Sequence, residues 1–305
     1  MRRYCRLKPF AQVRRELPAE RFLEVGWPGG RPGGRLVHVL QAGQGEPVLL
    51  LHGFGASTYC WRHILPALAR THRVIALDFH GFGATERPRD LASYTRDGQA
   101  ALVLAVLDAL GIGRAHLVGH SYGGAISLWL ASRHPERLAS LSLVDTAAPT
   151  FPNDRRSRLA ATRPFAWLFL HGVALTSWSV RKALEASIRD RRQVTPELVD
   201  GYLTPLRVEG VDAAYRGLTR PLRGRLAEEG PEVDFARLDL PTLVVWGTED
   251  RLVAVEDGRR ETARLPHCTF VELDGIGHMP MEECPEELVR ILSSFLRLQT
   301  GRAVG

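Results

Sequence analysis

The chain has 305 residues, 45% hydrophobic and 24% charged, with a formal net charge of +6. That balance fits a globular protein with enough length to bury a substantial core, and it excludes a disordered or low-complexity polypeptide. No apolar run approaches the ~18 residues of a membrane-crossing helix, and the basic opening "MRRYCRLKPFAQVRRELPAER" lacks the apolar segment of a secretory leader, so a cytoplasmic protein is expected.

Residues 1–20 read as a basic, solvated arm, carrying Pro9 and Pro18. "RFLEVGW" and "GRLVHVLQAG" follow as two strands joined through "PGGRPGG". "PVLLLHG" is a short apolar run of the buried-strand kind, "WRHILPALART" a helix, "RVIALDF" a strand and "YTRDGQAALVLAVLDALGI" a long helix. "AHLVGH", "YGGAISLWLASRHPERL" and "LASLSLVDTA" continue as strand, helix, strand. This βαβαβαβ order predicts an α/β fold with a mostly parallel sheet flanked by helices. After Pro149 the rhythm turns helical and arginine-rich, through "RPFAWLFLHGVALTSWSVRKALEASI" and "TPELVDGYLTPL". Strand pattern returns at "LPTLVVWG", then a helix at "AVEDGRRETARL", the strand "CTFVELDG" and a closing helix "CPEELVRILSSFLRLQ". The organisation is thus one core, 21–148 and 236–305, interrupted by a helical insertion at 149–235.

The chemistry gathers around "LVGHSYGG". Gly119-His120-Ser121-Tyr122-Gly123 fits G-x-S-x-G between a strand and a helix, a turn that needs small residues beside the serine because the serine backbone is strained. The strain aims Oγ out of the sheet, and the helix start aims N–H groups at the same place. Serine needs a base, and the base an orienting acid. Asp250 in "WGTEDRLV" and His278 in "DGIGHMPMEE" each follow a strand, at the sheet edge that carries Ser121. Asp145, also at a strand end, is the alternative acid; Glu249 and Asp274 read as loop-capping or solvated carboxylates. His52 and His120 read as structural hydrogen-bonders, and His80, His134, His171 and His267 as loop or helix residues without partners. "LLLHGFGAS" places Gly53 and Phe54 where a tight turn would present the Phe54 N–H as one oxyanion donor, with the Tyr122 N–H as the other.

Four cysteines, Cys5, Cys60, Cys268 and Cys284, form no C-x-x-C pair, which argues against a metal or redox site; no metal and no cofactor are expected. The positive charge is almost all arginine, with Lys8 and Lys182 the only lysines, and no nucleic-acid motif accompanies it. "NDRRSRLAATR" and "IRDRRQ" read as solvated helix faces, with attraction for an anionic substrate or peripheral contact with a lipid surface as the alternative.

"LHGFGAS", "LDFHGFGATERP", "GHSYGG", "WGTEDRLV" and "GIGHMPMEECPEEL", in this order, resemble the α/β-hydrolase superfamily over nearly the whole chain after residue 20. The resemblance implies an eight-stranded sheet with the insertion after the sixth strand forming a cap, and it supports Phe54 and Tyr122 as oxyanion donors and Asp250 as the acid. Some members place the acid after the sixth strand, which retains Asp145. Serine at 121 separates this chain from members that attack with aspartate. Carbon–carbon hydrolases of the meta-cleavage type resemble it more distantly: they usually carry tryptophan after the histidine, where this chain has Met279. The reading is a serine esterase acting on a small-to-medium hydrophobic ester, with carbon–carbon hydrolysis or slow-turnover ligand binding as alternatives. Phe151, Phe165, Trp167, Phe169 and Trp178 would line the pocket, or else form the core of the cap.

Overall fold

The computed structural model describes residues 7–27, 34–146, 176–211, 214 and 233–300. Its centre is an eight-stranded sheet in the order β1-β2-β4-β3-β5-β6-β7-β8. The strands are β1 (Phe22–Val25), β2 (Arg35–Ala42), β3 (Pro47–Leu51), β4 (Arg73–Leu77), β5 (Ala115–His120), β6 (Leu138–Val144), β7 (Thr242–Gly247) and β8 (Cys268–Leu273). β2 pairs antiparallel with both β1 and β4, and every pairing from β4 across to β8 is parallel.

Period-two alternation divides each central strand between two cores. Leu49, Leu51, Ile75, Leu77, Leu117, Leu141 and Val244 face one side; Val48, Leu50, Val74, Ala76, Val118 and Val245 face the other. The first core is covered by α3 (Arg96–Ala109) and α4 (Tyr122–Arg133), which bury Leu102, Val103, Val106, Ile126 and Trp129 against it. On the second lie the short α2 (Leu65–Leu68) and the closing α9 (Pro285–Thr300), through Leu65, Leu68, Leu288, Leu292 and Leu296. The helix expected over 61–71 is reduced to α2, preceded by a 3-10 turn at Thr58–Trp61 that the Ser57 hydroxyl caps.

The expected basic arm is in part structured, and its residues 1–6 lie outside the described residues. Residues 10–16 form α1 (Phe10–Glu16), and Val13 is buried against Ala84 and Val208. Lys8 pairs with the chain around Val208: its N–H donates to Arg207 O at 2.8 Å and its carbonyl accepts from Glu209 N–H at 2.9 Å. The physical cause is an apolar stripe, Phe10, Val13 and Leu17, at helical spacing within the basic sequence.

Between β6 and β7 the described segment holds α5 (Ser177–Ser187) and α6 (Pro196–Leu203), started by the Thr176 and Thr195 side chains, which accept from Ser179 and Leu198 N–H. α6 is tied to the core by Glu282, which takes a two-pronged ion pair from Arg62 at 2.7 and 2.6 Å and a hydrogen bond from the Tyr202 hydroxyl at 2.7 Å. The remaining helices are α7 (Val255–Thr262) and α8 (Pro280–Glu283). No described helix is long and apolar enough to cross a membrane.

Leu49 is fully buried in the middle of the sheet. Leu49→Ala should therefore cost about 2–5 kcal/mol, read as a lower urea midpoint with an unchanged m-value.

Candidate active site

The β5–α4 turn sets the geometry. Ser121 has φ 50° and ψ −114°, a conformation few side chains adopt, and its N–H is fixed to Val144 O at 3.0 Å. The chain on both sides crosses too closely for a side chain. A Cβ at Gly119 would lie 2.6 Å from Gly123 O, and one at Gly123 would lie 2.2 Å from Leu51 O. A Cβ at Gly53 would meet His120 Nδ1 at 2.7 Å. Gly119 and Gly123 are thus places where β3, β5 and α4 touch backbone to backbone, while Gly53 leaves room for the His120 ring.

His52, after β3, shapes the neighbouring loop. Its Nδ1 donates to Gly53 O at 2.8 Å, while Nε2 accepts from Phe79 N–H at 3.1 Å. Burial holds its pKa below the ordinary value, in keeping with this neutral tautomer. The Phe54 N–H beyond it donates to no described residue, and its ring is half exposed against Phe82 and Tyr122. Tyr122 opens α4, so its N–H belongs to the first helical turn.

His278 and Asp250 come together as expected. Nδ1 of His278 lies 2.6 Å from Asp250 Oδ2, and Asp250 Oδ1 accepts from Leu252 and Val253 N–H at 2.7 and 3.0 Å. Asp145, the alternative acid, makes no hydrogen bond to the ring; its Oδ1 accepts from Gly247 N–H at 2.9 Å. These three residues are the one cluster of metal-binding types among the described residues, but Asp250 and His278 already bind each other. Ser121 and His278 line one cavity of about 380 Å³, together with Gly53, Phe54 and His120. Their side chains are not directly hydrogen-bonded in this structure. Such a contact commonly closes only when substrate is bound.

The histidine backbone is held from two sides. His120 Nε2 donates to His278 O at 2.8 Å, and His278 N–H donates to Ser187 O at the end of α5, also at 2.8 Å. Burial pushes the His120 pKa down to about 3, so its ring is neutral and Nε2 carries the proton. Sequence reasoning missed Glu283. Its two oxygens accept from Gly277 N–H at 3.0 Å and Arg189 N–H at 2.7 Å, clamping the His278 loop to the chain just after α5. Only the adjacency of "MEE" to the histidine hinted at it.

Other expectations need adjustment. His80 is fully buried rather than partnerless: its N–H donates to Gln99 Oε1 at 3.1 Å and its ring meets Trp27 edge-on. His134 and His267 have carboxylate neighbours, Glu136 at 3.5 Å and Asp239 at 3.0 Å. Glu249 pairs with Arg189 at 3.4 Å on the surface, and Asp274 accepts from Thr248 Oγ1 at 3.4 Å, as loop residues would. Trp178 does not line the cavity: it is 63% exposed. Val180, Ala183, Leu184 and Ser187 line it instead, one face of α5 that helical spacing turns away from residue 178. Phe151, Phe165, Trp167, Phe169 and His171 lie outside the described residues.

Comparison with known proteins agrees with the architecture. The alpha/beta hydrolase fold family matches residues 46–169. A 2-hydroxymuconate semialdehyde hydrolase from Pseudomonas sp. (strain CF600) is 35% identical over 269 residues, 86% of this chain and 91% of that one. An uncharacterized hydrolase of Bacillus subtilis (strain 168) is 31% identical over 252 residues, 83% and 90% of the two chains. Among solved structures, a meta-cleavage product hydrolase from Pseudomonas fluorescens IP01 superposes with a TM-score of 0.75 at 26% identity, covering 90% of this chain and 97% of that one.

The β5–α4 turn makes a sharp prediction. Gly123→Ala forces a Cβ against the Leu51 carbonyl and should destabilise the fold by about 1–3 kcal/mol or more in urea unfolding. Gly113→Ala, where nothing lies within 4 Å of the added Cβ, should stay near wild type.

Proposed function

The chain belongs to the α/β-hydrolase family, and from that premise we propose that it hydrolyses a small-to-medium, uncharged hydrophobic carboxylic ester through an acyl-enzyme on Ser121. The observation that carries this reading is the Asp250–His278 hydrogen bond at 2.6 Å, facing the same cavity as the strained Ser121.

In the proposed cycle His278 Nε2 accepts the Ser121 Oγ proton as Oγ attacks the ester carbonyl. Asp250, bonded at Nδ1, fixes the tautomer and stabilises the imidazolium. The tetrahedral oxyanion sits between the Phe54 and Tyr122 N–H groups, and the positive end of α4 adds to their effect. Collapse expels the alcohol with the proton from His278, and water, deprotonated by the same ring, releases the acid. The insertion at 149–235 serves as a cap, with α5 as one wall of the acyl pocket.

The wall chemistry supports an uncharged, hydrophobic substrate. Phe54, Phe82, Val180, Leu184, Leu206 and Met279 are among the lining residues, and no described lining residue is a lysine or arginine. An uncharged acyl chain loses little on entering such a pocket, whereas a carboxylate would be stripped of water without a counter-charge. Carbon–carbon hydrolysis of a meta-cleavage type product is the second reading, favoured by the 35% identity to the semialdehyde hydrolase.

With p-nitrophenyl butyrate as substrate, Ser121→Ala should lower kcat by about 10⁴-fold or more. Equal rates would remove the serine from the mechanism. Among esters of one alcohol, a butyryl group should be turned over at least about ten-fold faster than an anionic succinyl group. A meta-cleavage type dienoate that outruns every ester would decide for the second reading.

A further inference from the structure

Asp145 ends β6 in surroundings that suit a carboxylate poorly. It is fully buried, and its φ of 41° places a Cβ-bearing residue in the left-handed region. Its N–H donates to Val245 O at 3.0 Å, which fixes the strand end against β7. Oδ1 has one donor, Gly247 N–H, while Oδ2 is buried with no hydrogen-bond partner. Within 4.8 Å of one another lie an oxygen of Asp145, an oxygen of Asp250 and a ring nitrogen of His278.

Two carboxylates this close, with no permanent cation between them, do not both ionise. Asp250 has the stronger hold on the charge, with two backbone N–H donors and the His278 ring. Asp145 has one neutral donor. Burial first, then the negative Asp250, pushes the Asp145 carboxyl well above the usual range. The other titratable groups set against it, Glu283 and Cys284, bring no positive charge.

We propose that Asp145 stays protonated through the catalytic cycle and acts as a positioning residue, so that the Asp145–Asp250 pair presents one negative charge, held on Asp250, to His278. This rests on the Asp250–His278 pairing of the proposed function and is independent of which bond is cleaved. A single charge beside Nδ1 is enough to fix the ring's tautomer. A second would hold the imidazolium and oppose proton pick-up from Ser121.

The test compares Asp145→Asn and Asp145→Ala with wild type, by pH–rate profiles on p-nitrophenyl butyrate and by urea unfolding across the same pH range. Asparagine keeps an acceptor for Gly247 and turns an N–H towards Asp250, imitating the neutral acid. Alanine should lower kcat about ten-fold with KM changed less than about two-fold, asparagine should restore the rate to within about three-fold, and the acid limb of kcat/KM should not move. In the unfolded chain Asp145 ionises above about pH 3.9, while in the native state it keeps its proton. Wild type therefore has its full stability relative to the asparagine variant below about pH 4 and loses it as pH rises, so asparagine should gain steadily on wild type from pH 5 to 8. An acid limb displaced downward by about one unit in Asp145→Asn, or a stability difference that is flat or reversed with pH, would show an ionised Asp145 and overturn the proposal. Full activity in Asp145→Ala would equally remove its positioning role. The unfolding arm needs no turnover, so a wild type inactive on esters would refute the esterase reading while leaving the Asp145 question decided.

Discussion

One serine backbone held at φ 50° is the constraint from which the rest of the site follows. Such a conformation costs about 1–3 kcal/mol and persists only where its surroundings over-determine it. They do so by close contact: β5 enters the turn beside α4 through Gly119 and Gly123, while β3 presses its carbonyls against Gly123. Those contacts belong to the packed centre of the sheet, so the hydroxyl is presented to the cavity by the same interactions that stabilise the fold.

The other two residues of the proposed triad arrive from far along the chain, and hydrogen bonds to backbone groups locate the histidine loop. His278 is suspended between His120, on the turn itself, and Ser187, at the end of α5. Glu283 adds a second link between the histidine loop and the residues after α5. The helical insertion thus forms part of the scaffold of the histidine as well as a wall of the pocket. Movement of α5 would be felt at His278 through Ser187 and Glu283.

Much of this was legible in the sequence because its signals are local. "PVLLL" and "AHLVGH" can bury both faces only as interior strands, and glycines on either side of Ser121 announce a turn that excludes side chains. Asp250 and His278 were legible because each follows a strand of a parallel sheet, whose ends all meet at one edge. What escaped depended on contacts between distant segments. Glu283 bonds backbone groups of residues 277 and 189, and neither side of that contact carries a side-chain signature. α1 was lost among arginines, although Phe10, Val13 and Leu17 already had helical spacing. Trp178 reads from its aromatic character as pocket lining or cap core, but the phase of α5 leaves it exposed and puts Val180 and Leu184 at the cavity.

The claim beneath the whole account is that Ser121 is made nucleophilic by His278, and covalent labelling reads this without a choice of substrate. A fluorophosphonate probe, with the adduct located by peptide mass spectrometry, should modify Ser121 once per chain, and His278→Ala should slow labelling by at least about a thousand-fold. An adduct on another residue, or unchanged labelling in the histidine variant, would contradict the account.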